Sequence, residues 1–287
     1  MSRTAYVNGR YLPHGQAVVH IEDRGFQFAD AVYEVWSVFE GRLGDYAGHM
    51  RRLERSLGEL KISPPMSEAA LSRVLRETLR RNRVREGICY LQISRGTARR
   101  DHAFPGPEVA PSIVVTARSI DRAAEASKAE RGVAVITTPE ARWARCDIKT
   151  VGLLPNALAK QAARERGAAE AWFVDELGFV TEGASTNAWI VDADGVLRTR
   201  DTNANILRGV TRHQLVDLAR EEGVEVSERP FSVDDVKAAR EAFFTAASAF
   251  ITPVVSIDAA RIGDGRPGPI SNRLRALYME KARAEAI

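Results

Sequence analysis

Apolar positions along this chain alternate in some stretches and return every third or fourth residue in others, and that spacing predicts the elements. Ala5-Tyr6-Val7 and Arg10-Tyr11-Leu12 flank Asn8-Gly9, a dipeptide suited to a two-residue hairpin turn. A second hairpin is expected over 31–39, turned at Glu40-Gly41. Helices follow, one with a stripe of Leu53, Leu57 and Leu60, the next with Leu71, Val74, Leu75 and Leu79. Strand-like runs at 88–94 and 112–117 enclose a polar loop that holds Arg99-Arg100-Asp101-His102. The stretch 119–131 has almost no large apolar side chain and reads as a linker. It divides an N-terminal α/β domain over 1–118 from a C-terminal domain over 132–287.

In the second half, strands are expected at 133–138, 171–174, 188–191 and 242–245. A helix begins near Pro155, because proline suits a first helical turn. Another starts at Thr211, where Thr211-Arg212-His213-Gln214 fits a capping box, and a last one uses Ile270, Leu274, Leu277 and Tyr278. Strands and helices mix without strict β-α-β alternation, so the fold class is α+β with two domains.

Composition narrows the class. The 287 residues are 45% apolar and 28% charged, a globular balance. No stretch reaches the roughly 18–20 uncharged apolar residues of a membrane helix, so no membrane partner is expected. The start of the chain lacks the apolar run of a secretory signal. Cys89 and Cys146 make no disulfide framework and no zinc spacing, which points to a reducing cytoplasm. A net charge of +3 is too small and dispersed for a nucleic-acid partner. Phosphate-loop, dinucleotide, nucleophile-elbow and zinc-protease motifs are absent, and the five histidines show no ligand spacing, so no metal site is expected.

Five segments carry candidate chemistry. Lys149, one of only six lysines, sits in a largely apolar stretch ahead of a helix. Desolvation frees such an amine to form an imine with an aldehyde; alternatively its stem covers apolar neighbours. Thr181-Glu182-Gly183-Ala184-Ser185-Thr186-Asn187 is turn-like, and Glu182 either faces a cationic ring nitrogen or is simply solvated. Leu207-Arg208-Gly209-Val210-Thr211 leads into a helix whose first N–H groups suit an anion, or is an ordinary helix start. The small residues around Ser248 either donate hydrogen bonds to a phosphate or form a packed strand turn. Arg51 and Arg52 lie at a helix start, poorly placed for the dipole, so an anion holds one of them or the face is solvated.

Together these segments resemble the fold-type IV pyridoxal-phosphate enzymes, and among them the D-amino-acid aminotransferases. The similarity runs over essentially the whole chain. It includes Glu22-Asp23-Arg24-Gly25-Phe26-Gln27-Phe28, Val32-Tyr33-Glu34-Val35, His49-x-x-Arg52-Leu53, Arg95-Gly96-Thr97, Arg145-Cys146-Asp147-Ile148-Lys149 and Thr181-Glu182-Gly183. The resemblance implies a two-domain fold with the active site between the domains, the C-terminal one binding pyridoxal 5'-phosphate. Lys149 matches the lysine that holds the cofactor as an internal aldimine and shuttles the substrate proton, and Glu182 the partner of the ring nitrogen. Arg52 matches the phosphate-binding arginine, Val210 and Thr211 the helix-start amides, Ser248 the strand-turn donor and Leu207 the side chain packed on the ring.

Tyr33 matches a tyrosine near the substrate carboxylate. Arg100 and His102 match a carboxylate trap contributed by the neighbouring subunit, a task suited to a guanidinium's paired donors. Arg99 is adjacent, so the trap arginine is Arg100 or Arg99. Ala184, Ala246 and Ala247 stand where the family has hydroxyl residues.

The implied activity is a cytoplasmic, homodimeric transaminase moving amino groups between D-amino acids, such as D-alanine and D-glutamate, and 2-oxo acids. Aminodeoxychorismate lyase and branched-chain L-amino-acid aminotransferase share the fold, and the loop with Arg100 and His102 argues against both. A non-catalytic binding protein is argued against by Lys149 and Glu182 together.

Overall fold

A computed structural model describes residues 3–203 and 205–287. The chain forms two compact units. The first takes the chain through Asp121 with Ile148–Gly152 and Glu285–Ile287; the second takes Arg122–Asp147 and Leu153–Ala284.

The first unit contains β1 (Thr4–Val7), β2 (Arg10–Pro13), α1 (Arg24–Phe28), β3 (Ala31–Phe39), β4 (Arg42–Leu43), α2 (Tyr46–Glu59), α3 (Glu68–Asn82), β5 (Gly87–Ser94) and β6 (Ser112–Ser119). Its strands make an antiparallel sheet in the order β2-β1-β6-β5-β3-β4. Both predicted hairpins form, and Asn8, Gly9, Glu40 and Gly41 all take positive φ. Helices α2 and α3 lay the two predicted leucine stripes on one face of the sheet, where Leu53, Leu57, Leu71, Leu75 and Leu79 join Trp36, Cys89, Leu91 and Val115 in one core. The period-2 pattern of β3 puts Val32, Glu34, Trp36 and Val38 on that buried face. Glu34 is its charged member.

The second unit runs α4 (Arg122–Arg131), β7 (Val133–Pro139), α5 (Leu154–Glu165), β8 (Glu170–Val174), β9 (Val180–Gly183), β10 (Asn187–Val191), β11 (Leu197–Thr199), α6 (Val210–Glu221), β12 (Val226–Glu228), α7 (Val233–Ala238), β13 (Glu241–Ala246), β14 (Phe250–Ile257), β15 (Ala260–Arg261) and α8 (Pro269–Ala284). Its sheet follows the order β12-β11-β10-β13-β14-β7-β8-β9, with β15 paired to β14. The pairs β11–β12, β14–β7 and β7–β8 are parallel and the others antiparallel. Trp172, Ala188, Ile190, Phe231 and Phe244 lie in its core. Among the described residues, no helix is long and apolar enough to cross a membrane.

Three local expectations are corrected. The stretch read as a linker carries α4: its alanines and long charged residues are good helix formers, Lys128 pairs with Glu125 at 2.8 Å, and Ala129 is buried. The contact boundary falls between Asp121 and Arg122. The capping box at Thr211 does not form, because α6 starts one residue earlier with Gly209 as N-cap and no side-chain cap. Thr211 is buried inside the helix, its hydroxyl 3.3 Å from that of Tyr278. Finally, Glu182 lies on strand β9, where the sequence reads as a turn. Four residues that include Thr, Glu and Gly are too short and too polar for an alternation signal, yet all four are buried.

Candidate active site

Main-chain pairing brings Lys149 beside Tyr33. The start of β3 runs against 149–151: the Tyr33 N–H donates to the Lys149 carbonyl at 3.0 Å, the Val151 N–H donates to the Ala31 carbonyl at 3.1 Å, and Val32 bridges Thr150. Ile148 is buried in the first unit's core and anchors the segment. The Lys149 ammonium then stands 4.1 Å from the Tyr33 ring centre, an arrangement the ring quadrupole favours. Tyr33 stacks on Tyr90 at 5.7 Å, and burial, followed by the nearby Tyr33, pushes the Tyr90 phenol up to about 12.

Next to Tyr33, Glu34 points into the core and holds Arg52. The Arg52 Nε donates to Glu34 Oε1 and Nη2 to Oε2, both at 2.7 Å. His49 Nδ1 lies 2.7 Å from Glu34 Oε2. Burial alone would raise the Glu34 carboxyl, but Arg52 and then His49 hold it well below the usual carboxylate range. Burial lowers His49 despite Glu34, a direction that favours the neutral ring with its Nδ1–H donating to the carboxylate. Glu34 is thus one anion that holds Arg52. Arg52 lies in the second turn of α2, past the helix start, and Arg51 is exposed.

In the second unit, Glu182 sits in a ring of donors. Arg142 Nη1 and the Leu207 N–H, the latter at 3.0 Å, donate to Oε1, and Asn187 Nδ2 donates to Oε2 at 2.8 Å. Asn187 also donates to the Leu207 carbonyl at 3.0 Å, so Glu182 and Asn187 together fix Leu207. Arg142 in turn grips Glu140 through Nε at 2.9 Å and Nη2 at 2.6 Å. Burial pushes the Glu182 carboxyl above its ordinary value, against the pull of Arg142 and the Leu207 amide.

Two residues beyond Leu207, a Cβ on Gly209 would come within 2.0 Å of Asn187 Oδ1, so a side chain there would push Asn187 from its place against Glu182 and Leu207. The chain then enters the uncapped start of α6, with Val210 and Thr211 leading it. Ser248 lies in the turn between β13 and β14, and its carbonyl accepts from Arg122 Nη1 at 3.4 Å. Arg100 and His102 stand on the exposed loop between β5 and β6 and flank the Phe28 ring at 5.2 and 5.5 Å.

The family model for class IV amino-transferases matches residues 31–257. The chain belongs to this family. D-alanine aminotransferases are among the relatives of this class IV aminotransferase. The one from Staphylococcus haemolyticus is 38% identical over 94% of both chains, and that from Bacillus licheniformis is 37% identical over 97% of this chain and 96% of its own. The branched-chain amino acid aminotransferase of Escherichia coli superposes with a TM-score of 0.91 at 25% identity, covering 100% of this chain and 97% of that one. A T.th. branched-chain amino acid aminotransferase with pyridoxamine 5'-phosphate superposes at 0.89 with 27% identity, covering 99% and 95%. The resemblance to the fold-type IV aminotransferases, and to the D-amino-acid ones among them, therefore holds over most of the chain, and the α+β class holds with it.

Sequence reasoning does not single out Glu34, His49, Arg142 and Asn187. Glu34 leaves a signal, a lone carboxylate on the apolar face of a strand. Arg142 and Asn187 leave none: Glu140 and Glu182 stand only two and five positions from them, but no periodicity or motif marks those carboxylates as partners. The second unit's donor set suits the family's cofactor. A buried carboxylate with one oxygen engaged by a single donor suits a cationic ring nitrogen, and an uncapped helix start suits a phosphate.

Proposed function

We propose that the enzyme moves amino groups between D-amino acids, D-alanine and D-glutamate among them, and 2-oxo acids, as a cytoplasmic homodimer using pyridoxal 5'-phosphate. The observation that carries this reading is the Lys149 amine, half-buried and 4.1 Å from the Tyr33 ring on a segment locked by main-chain bonds. When bound, the cofactor supplies an aldehyde carbon that takes an amine and a ring that withdraws electrons from it.

The residues of the chain do the rest. Lys149 Nζ is the covalent attachment point and carries the proton removed from the substrate Cα. Glu182 holds the ring nitrogen's proton through Oε2, while Arg142 and Leu207 steady Oε1. Leu207, fixed by Glu182 and Asn187, packs on the ring face. Val210 and Thr211 donate their amides to the phosphate, Ser248 its hydroxyl, and Arg52, oriented by Glu34, supplies a positive charge. Tyr33, Arg100 and His102 bind the substrate α-carboxylate, the last two from the partner protomer, with Arg100 rather than Arg99 as the arginine because it lies beside Phe28 with His102. The names of the D-alanine aminotransferase relatives support the D-substrate assignment. The names of the solved structures favour a second reading, branched-chain amino acids, at lower identity.

The test is an assay of the purified enzyme, with D-alanine and 2-oxoglutarate expected to give pyruvate and glutamate, and L-alanine or L-leucine in place of D-alanine expected to give no comparable rate. K149A is expected to lower the rate at least about a thousandfold, and borohydride to fix the cofactor only on the peptide containing Lys149. Activity confined to L-amino acids, or a label elsewhere, overturns the reading.

A further inference from the structure

The Glu22–Phe28 motif and the Arg95-Gly96-Thr97 motif have no part in the chemistry above, yet the structure stitches them together. Arg24 is 3% exposed, and its guanidinium reaches three consecutive main-chain carbonyls of the Arg100/His102 loop. Nη1 donates to the carbonyl of Asp101 at 2.7 Å and of Ala103 at 3.2 Å, and Nη2 donates to that of His102 at 3.4 Å. Its Nε donates to Asp30 at 2.8 Å, an ion pair that offsets part of the buried charge. Asp30 also takes a paired contact from Arg95, at 2.7 and 3.0 Å, so one carboxylate ties the loop's entry to its middle.

The backbone adds further stitches. The Arg24 N–H donates to the Gly96 carbonyl at 2.9 Å, the Ala98 N–H donates to the Glu22 carbonyl at 3.3 Å, and Asp23 bridges Thr97. Gly96 turns with φ at +108°, and a Cβ there would lie 2.1 Å from the Ala110 carbonyl oxygen. Arg24 also lies 4.7 Å from the Phe28 ring, the same ring that Arg100 and His102 flank.

We infer that Arg24 is a positioning residue that presets the 99–103 loop, and with it the places from which Arg100 and His102 are presented. The inference rests on the reading of those two residues as the carboxylate trap. A solvated loop with three exposed basic side chains has no packing of its own to hold a shape, and ordering it only when substrate arrives would weaken binding. A planar guanidinium can span several carbonyls from one buried point, whereas an ammonium on a flexible stem cannot. That difference makes R24K the informative substitution.

In the cofactor-loaded R24K enzyme, amide hydrogen exchange over 97–104 speeds up at least about tenfold while the amides of β5 and β6 keep their rates. The KM for D-alanine rises about tenfold and kcat falls by no more than about threefold. F28L, which removes the ring but keeps Arg24, shifts KM in the same direction by about threefold. Unchanged exchange over 97–104, exchange raised evenly along the chain, or a kcat loss at fixed KM overturns the role of Arg24. R100A separates the two claims. An unchanged KM in R100A overturns the trap itself, whatever Arg24 does to the loop. A raised KM in R100A beside unaltered R24K exchange leaves the trap standing and removes Arg24 from it.

Discussion

Each unit buries a carboxylate against an arginine, and the environments drive the two in opposite directions. In the first unit, both oxygens of Glu34 are taken by one arginine fork and a neutral histidine, and the carboxyl is held well below its usual range. In the second, Arg142 divides its donors between Glu140 and Glu182. Glu140, which has the paired contact, is lowered against its own burial penalty, while Glu182 has one nitrogen of the fork and burial pushes it up. The same residue types therefore make a closed pair in one place and an incompletely compensated anion in the other. A closed pair orients its arginine and resists disturbance. An anion still short of positive charge gains from a further cation, which is what a protonated ring nitrogen supplies.

Removing each carboxylate's charge separates these roles, and the larger effect is expected at the closed pair. E34Q leaves the Arg52 cation buried without its counter-ion and costs about 3–5 kcal/mol of stability, read as a fall in the denaturant midpoint. E182Q leaves Arg142 on Glu140, so its midpoint moves by less than about 1 kcal/mol, within the range of an ordinary hydrogen-bond change. Its kcat for D-alanine instead falls on the order of a hundredfold, about 2.7 kcal/mol in barrier. A mild E34Q or an E182Q that unfolds would break the contrast.

How much of this is legible in the residues depends on how far the partners lie apart. The hairpins at Asn8-Gly9 and Glu40-Gly41 and the leucine stripes of α2 and α3 are local patterns, and the structure keeps them nearly to the residue. The 119–131 stretch misleads because low hydrophobicity alone does not separate a linker from an exposed helix; its alanine content carries the information. Strand β9 is hidden because its burial comes from neighbours on β8 and β10, and its own sequence gives no alternation. Lys149 and Glu182 stand out as unusual residues within motifs. Arg24, by contrast, acts on carbonyl oxygens some 77 to 79 positions away, and carbonyls carry no residue signature.

The smallest expected effect concerns His49, and it sharpens the account of the closed pair through pH. Burial lowers this imidazole below its ordinary 6.5, with Glu34 and Asp45 opposing and Arg52 assisting. The unfolded chain therefore takes up the proton first as pH falls. Stability is complete above about pH 6.5 and declines below it, with a slope of at most about 1.4 kcal/mol per pH unit for this single group. A second decline, from Glu34, begins only below about pH 4.5, since its folded value lies beneath that of the free carboxyl. H49N places an amide N–H where Nδ1–H stood and does not titrate. It keeps a donor for Glu34 and so removes the decline between about pH 6.5 and 5 while leaving the more acidic one in place. Melting curves of the two proteins across about pH 4 to 8 check this. Parallel curves would mean that His49 titrates alike in the folded and unfolded chain, and a wild type that gains stability over H49N as pH falls would mean that the folded ring keeps its proton and Glu34 is flanked by two cations instead of one.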